Sequence, residues 1–156
     1  MSGSAAVRGF RRGDAARLAE IANEAFSDEI TRGLPAFDEG YFARRGSRPG
    51  VRLLVAEVDG AVAGFVLLTD ATVEEPAQLH LVAVEEGLRG RGIGGLLVGE
   101  AVRLAGLEGA GKLRLSTRPW NAAMRAVCAS HGFVEEATLR REYLGEDLVR
   151  YAYFYG

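Results

Sequence analysis

The chain predicts an α/β protein with a mixed, largely antiparallel sheet flanked by helices. Three observations predict it. Two long apolar runs, Val51 to Val58 and Ala61 to Thr69, are joined by Asp59-Gly60, a strong two-residue hairpin signal. The stretch Leu79 to Leu97 reads as a buried strand, a Gly/Arg loop and the start of an amphipathic helix. A second hairpin signal, around Gly145, closes the sequence.

The elements follow in order. Val7 to Phe10 is a short strand. Asp14 caps a helix to about Phe26, with Ala15, Leu18, Ile21, Ala22, Ala25 and Phe26 at helical spacing. Ser27 to Phe37 holds Gly33 and Pro35 and reads as a loop. Asp38 starts a short helix through Tyr41, Phe42 and Arg45, and Ser47-Arg48-Pro49-Gly50 turns the chain. After the first hairpin, Ala77 to Val84 is the third long strand. Gly92 to Gly106 is a helix with Ile93, Leu96, Leu97, Ala101 and Leu104 on one face. Lys112 to Thr117 is a strand. Asn121 to about Ser130 is a helix stopped by Gly132. Phe133 to Tyr143 and Leu148 to Phe154 form the last hairpin. The order is βααβββαβαββ.

Composition narrows the classes. At 156 residues the chain is read as one domain, 1–156, long enough for a full core. A net charge of −2 argues against a general nucleic-acid binder. The single cysteine cannot close an internal disulfide, which favours a cytoplasmic protein. No apolar run approaches the roughly 18 residues of a membrane span, and Met1 to Ala6 lacks the regions of a signal peptide. No clustered metal-ligand pattern stands out, so no metal is expected.

The Gly/Arg loop is the most chemical feature. A glycine-rich turn into a helix leaves backbone N–H groups unpaired at the positive end of the helix dipole, and arginines beside it complete an anion site. Gly90-Arg91-Gly92-Ile93-Gly94-Gly95 satisfies the G-x-G-x-x-G pattern of dinucleotide folds. The placement argues against that reading. Glu85 to Arg89 separate the strand from the glycines, and the position about 20 residues on falls before a strand rather than at its end.

A second pattern fits better. Arg89-Gly90-Arg91-Gly92-Ile93-Gly94, behind Leu81-Val82-Ala83-Val84, resembles the [Q/R]-x-x-G-x-[G/A] motif of the GNAT-type N-acetyltransferases. Asn121 to Phe133, NAAMRAVCASHGF, resembles that family's later helix block. The resemblance covers about Val7 to Phe154. It implies the GNAT acyl-CoA N-acyltransferase fold, with acetyl-CoA as cosubstrate and acetyl transfer to an amine. It implies a splay between the strands Leu79–Val84 and Lys112–Thr117, with the pantetheine arm pairing to Val82, Ala83 and Val84 through the backbone of Val82 and Val84. It places the pyrophosphate on Gly90, Arg91, Gly92, Ile93, Gly94 and Gly95, with Arg89 and Arg91 adding charge. For each arginine a solvated role stands beside the contact. Asn121 is a cofactor contact by resemblance and an ordinary helix cap by position.

The sequence departs from the family where the chemistry lies. Many relatives carry a tyrosine at the position of Cys128 as the acid that protonates the departing thiolate. A thiol of pKa about 8.5 has the acidity for that task, and a small buried apolar residue is the competing reading. The fifth-strand glutamate of the bacterial ribosomal-protein N-terminal acetylases aligns with Ser116. His80, on the cofactor strand, is the candidate base, against a structural histidine. Parity puts its side chain on one face with Val82 and Val84. Tyr143 is a candidate for the substrate slot, and Asp28, Glu29 and Asp38 could draw in a cation or form a wet surface. A peptide α-amine costs only about 1.1 kcal/mol to deprotonate at pH 7, a lysine amine about 4.6 kcal/mol. A weak or water-mediated base therefore suffices for a peptide α-amine and suffices less well for lysine; the acceptor is expected to be a peptide α-amine or a small primary amine. Competing with the enzyme is a module that binds acyl-CoA without turnover. The aromatic run Tyr151, Tyr153, Phe154 and Tyr155 has a period-2 part that a core-and-edge strand explains, with a homodimer contact along that strand as the alternative.

Overall fold

The computed structural model describes residues 4–156; the start of the Met1 to Ala6 segment lies outside them. The elements are β1 (Ala5–Gly9), α1 (Ala15–Ala25), α2 (Ser27–Thr31), α3 (Glu39–Gly46), β2 (Val51–Val58), β3 (Ala61–Thr69), β4 (Ala77–Val84), α4 (Ile93–Leu107), β5 (Lys112–Thr117), α5 (Ala122–Ser130), β6 (Val134–Tyr143) and β7 (Glu146–Phe154). One seven-stranded sheet runs β1-β2-β3-β4-β5-β7-β6. Every neighbouring pair is antiparallel except β4 with β5.

Both hairpins turn as their sequences dictate. Asp59 and Gly60 have φ of 53° and 79°, and Leu144 and Gly145 have 52° and 76°. Positive φ at both central residues is the turn whose twist matches paired strands. The sheet separates two cores. Leu18, Ile21 and Phe42 from α1 and α3 pack on Val55, Phe65 and Leu67 on one face. Ile93, Leu97, Val98 and Ala101 of α4, with Cys128 of α5, pack on Val66, Leu68, Leu113 and Leu115 on the other.

Four sequence expectations change. The Ser27–Phe37 loop begins with the short helix α2, because Asp28 and Glu29 in its first turn suit a helix start. Asp14 makes no side-chain cap on α1. Its carboxylate is bound by the Arg8 guanidinium at 2.8 and 3.0 Å and by the Arg11 N–H at 2.7 Å. On α4, Leu96 is exposed and Val98 and Ala105 take the buried face, so the apolar stripe is rotated from the expected one.

The fourth change concerns His80. Leu67 pairs with Leu81 but Leu68 pairs with Leu79, so His80 is the extra residue of a β-bulge. The bulge inverts the side-chain alternation. Leu79 packs with the α4 core and Leu81 with the α1 core. His80 therefore does not share a face with Val82 and Val84. Its Nε2 lies 2.8 Å from Thr69 Oγ1, on the other side.

Candidate active site

The bulged strand opens the sheet at its centre. β4 and β5 pair only at Ala77 with Leu113 and Gln78 with Arg114, then diverge. The Glu85 N–H donates to the Ala63 carbonyl at 2.8 Å. Backbone groups alternate sides along a strand, so Val82 and Val84 turn their N–H and C=O groups away from β3 into the gap. The Val84 carbonyl accepts from Arg89 Nε at 3.1 Å. Among the described residues the Val82 groups and the Val84 N–H remain open on that edge.

A cavity of about 460 Å³ lies on one side of the gap, lined by Val82, Ala83, Val84, Arg89, Gly90, Gly92, Ile93, Gly94, Gly95 and Asn121 from the sequence motifs. Leu88, Met124 and Val127 give it an apolar wall that the sequence reading did not single out. The turn into α4 needs glycine. Gly90 and Gly92 have φ of 81° and 83°, and a Cβ on either would meet nothing. Conformation rather than space demands glycine there. Gly92 cannot cap α4 with a side chain, so the first N–H groups of that fifteen-residue helix face the cavity end without intrahelical partners.

The two arginines part company. Arg89 lines the cavity and also pairs with Glu24 of α1. Arg91 is exposed, lies outside the lining, and makes no hydrogen bond or ion pair among the described residues. Asn121 caps α5 by accepting the Met124 N–H at 3.1 Å through Oδ1. Its amide nitrogen has no such partner among the described residues, and the residue lines both this cavity and the next.

The second cavity, about 490 Å³, lies across the gap. His80, Ser116, Tyr143, Glu29 and Arg118 line it with the apolar Phe26, Ile30, Phe37 and Leu148. A smaller space of about 100 Å³ shares walls with both, among them Val82, Asn121 and Met124 with the first and His80, Leu81, Ser116 and Thr117 with the second. His80 is exposed to this space. Desolvation by the surrounding protein, then Arg114 and Arg45, hold its pKa below the usual 6.5 and keep the imidazole neutral. Burial and the nearby Glu29 push the Tyr143 phenol up, so it stays protonated.

Cys128 is set apart from all of these. It is fully buried in the α4 core, burial pushes its thiol up to about 12, and it lines none of the cavities. The packing of α5, which points Met124 and Val127 at the cavity, turns Cys128 inward.

Sequence reading missed Arg118. It is only 6% exposed, its Nη1 meets Asp28 at 2.9 Å and Glu29 at 3.3 Å, and it faces the Tyr143 ring at 5.0 Å. An arginine just past a strand in Thr117-Arg118-Pro119-Trp120 carries no local sign of burial. Among the described residues no cluster suited to a metal ion forms, and no helix is long and apolar enough to cross a membrane.

A strand splayed from its parallel neighbour, an open backbone edge and a glycine-turned helix start thus border one cavity. Residues 15–133 match the profile of the acetyltransferase (GNAT) family, and the chain belongs to that family. It is an N-acetyltransferase, with acetyl-CoA as cosubstrate. Similar solved structures include a ribosomal-protein-alanine N-acetyltransferase from Brucella melitensis, 26% identical with a TM-score of 0.84 over 96% of this chain and 99% of that one. An N-acetyltransferase from Staphylococcus aureus Mu50 is 18% identical, with a TM-score of 0.85 over 97% and 98%. The PaiA N-acetyltransferase from Thermoplasma acidophilum, solved with coenzyme A, is 19% identical, with a TM-score of 0.80 over 97% and 99%. No curated protein matches the sequence.

Proposed function

We propose that the chain transfers the acetyl group of acetyl-CoA directly to a primary amine, a peptide α-amine or a small amine, within a ternary complex. One observation carries this reading. Two cavities of similar size share Ala25, Phe26 and Asn121 as walls at the β4–β5 splay, which favours holding donor and acceptor side by side. A module that merely stores acyl-CoA needs only the first cavity. The second, walled by His80, Tyr143 and Glu29, favours turnover.

The residues suit the cosubstrate. The unpaired N–H groups at the α4 start and the positive-φ turn at Gly90 and Gly92 suit the pyrophosphate. The open backbone groups of Val82 and Val84 suit the amides of the pantetheine arm. Leu88, Met124 and Val127 exclude water along it. Bound acetyl-CoA supplies an activated thioester. In this reading the Val82 N–H polarises the thioester carbonyl, and Asn121 orients the arm from the far side of the gap.

His80 accepts the amine proton. It is neutral at pH 7, and the tautomer in which Nε2–H donates to Thr69 Oγ1 leaves the Nδ1 lone pair for the acceptor. The thiolate takes its proton from water or from Tyr143. Cys128 has no part in the step. The protein acts as a single domain in this scheme, since both cavities belong to one sheet.

Initial-velocity kinetics with varied acetyl-CoA and amine test the reading. Intersecting lines, with thiol release that depends on the amine, are expected. Parallel lines, or an acetylated protein isolated without amine, would replace direct attack by a covalent route. Tight acetyl-CoA binding with no release to peptide, lysine, polyamine or amino-sugar acceptors would favour the binding module.

A further inference from the structure

The chain holds one tryptophan, Trp120. It lines the second cavity and is still 61% exposed, so it stands at the mouth rather than in the interior. The other exposed large apolar side chains are Val73, Leu96, Leu107, Val134 and Phe154, and none of them lines either large cavity. Exposed apolar residues scattered singly need no function. One set into a cavity wall is different, because a ligand that fills the cavity also covers it. Ile30, Leu34 and Pro35 add apolar wall from α2 and the segment after it.

The indole is held in place. Its Nε1 donates to Glu146 at 2.9 Å, and Glu146 is itself bound by Arg32 and lies 3.8 Å from Arg118. The Arg118 guanidinium lies over the indole, 5.5 Å from its centroid, and over the Tyr143 ring at 5.0 Å. Arg118 is buried, so one face of the indole is backed by protein and the exposure falls on the other. The backbone beneath is pinned as well. The Arg118 carbonyl accepts the Asn121 N–H at 3.0 Å, the Trp120 carbonyl accepts the Ala122 N–H at 2.9 Å, and the Pro119 carbonyl accepts from Arg125 Nη1 at 2.9 Å. A ring fixed at edge, face and backbone loses little freedom when a ligand stacks on it. Arg118 already draws on the π-cloud from behind, which favours a neutral ring over a second cation on the open face.

Resting on the transferase reading above, we infer that Trp120 is a specificity-determining residue of the acceptor site, and that its open indole face takes an aryl group carried by the acceptor. The amine then points inward toward His80, which lines the same cavity. A saturated group of the same size fills the mouth but lacks the ring-on-ring geometry.

Because Trp120 is the only tryptophan, its fluorescence, excited where tyrosine does not absorb, reports on this one ring. The probes are 2-phenylethylamine against 2-cyclohexylethylamine, with phenylalaninamide against cyclohexylalaninamide as the peptide-like pair. Each is titrated into protein saturated with CoA, where no acetyl group is present to transfer. In at least one pair the aryl member should shift the emission saturably, with its midpoint at about fivefold lower concentration than that of its saturated partner. With acetyl-CoA the same preference should appear in kcat/KM, persist in Trp120→Phe and vanish in Trp120→Leu. Affinity for CoA, measured by calorimetry, should match the wild type in both variants, which shows that they are folded. No aryl preference in either pair, or one that survives in Trp120→Leu, would overturn the assignment while leaving the transferase reading in place. Aryl-selective binding with acetyl transfer to no amine would uphold the Trp120 subsite and overturn the transferase reading.

Discussion

Leu79 and Leu81 stand two residues apart on β4 and pack into opposite cores of the protein. On a regular strand they would share a face. The extra residue between them, His80, makes the inversion, and the same bulge turns its imidazole toward Thr69 and the second cavity. The bulge thus sets the strand's register in the core and the placement of a reactive group together.

His80→Gln keeps a polar group of similar size on the bulge and removes the proposed base. It should lower kcat by about a hundredfold, the lower end of general-base contributions. Desolvation, Arg114 and Arg45 disfavour the imidazolium in the folded state. The unfolded chain therefore binds the proton first as pH falls through 6.5, and the wild type loses stability there relative to its value at neutral pH. The variant should lack that loss. A pH series of urea melts and of kcat checks both, and an unaltered kcat would remove His80 from the chemistry.

Gly64 of β3 lies opposite Val84. A Cβ there would stand 2.6 Å from the Ala83 carbonyl oxygen and 3.3 Å from the Val84 Cα, both backbone atoms. Gly64→Ala must push β4 at the segment that borders the first cavity, the one proposed for CoA. A cost of about 1–3 kcal/mol is expected from such overpacking, with weaker CoA binding beside it. Denaturation and calorimetry on the same sample would show both changes or refute the coupling.

The φ of 83° at Gly92 favours glycine whatever the space around it. Gly92→Glu adds backbone strain of about 1–2 kcal/mol and puts a negative charge where a pyrophosphate is expected. CoA affinity should fall at least a hundredfold while the fold, monitored by circular dichroism, persists. Retained affinity would take the loop out of the site.

Cys128→Ala is expected to separate packing from catalysis. The thiol is fully buried and pushed up to about 12, away from every cavity wall. Losing its sulfur should cost about 1 kcal/mol of stability and leave kcat within about twofold, since no proton donor in the site is removed. A large loss of kcat at unchanged CoA affinity would restore the cysteine as the acid.

Local chemistry decided what could be read early. The turn at Asp59-Gly60, the glycine loop before Ile93 and the cap at Asn121 each depend on residues within a few positions of one another, and each appears where the sequence places it. The bulge at His80 could not be read this way. Leu79 to Val84 is almost continuously apolar, so no alternation marks where parity breaks. The helix Ser27–Thr31 is too short to show a period.

The sequence by itself determined the order of the elements apart from the short helix α2, the two hairpins and the glycine-turned helix start, because backbone conformation and hydrophobic period are local. Only the tertiary structure decided that Cys128 faces the core, that Arg91 is exposed outside the cavity lining, and that Arg118 is buried against Asp28 and Glu29 from 89 or more positions earlier in the chain. Those outcomes depend on which side chains distant in sequence are brought together when the strands splay, and no local pattern encodes such a meeting.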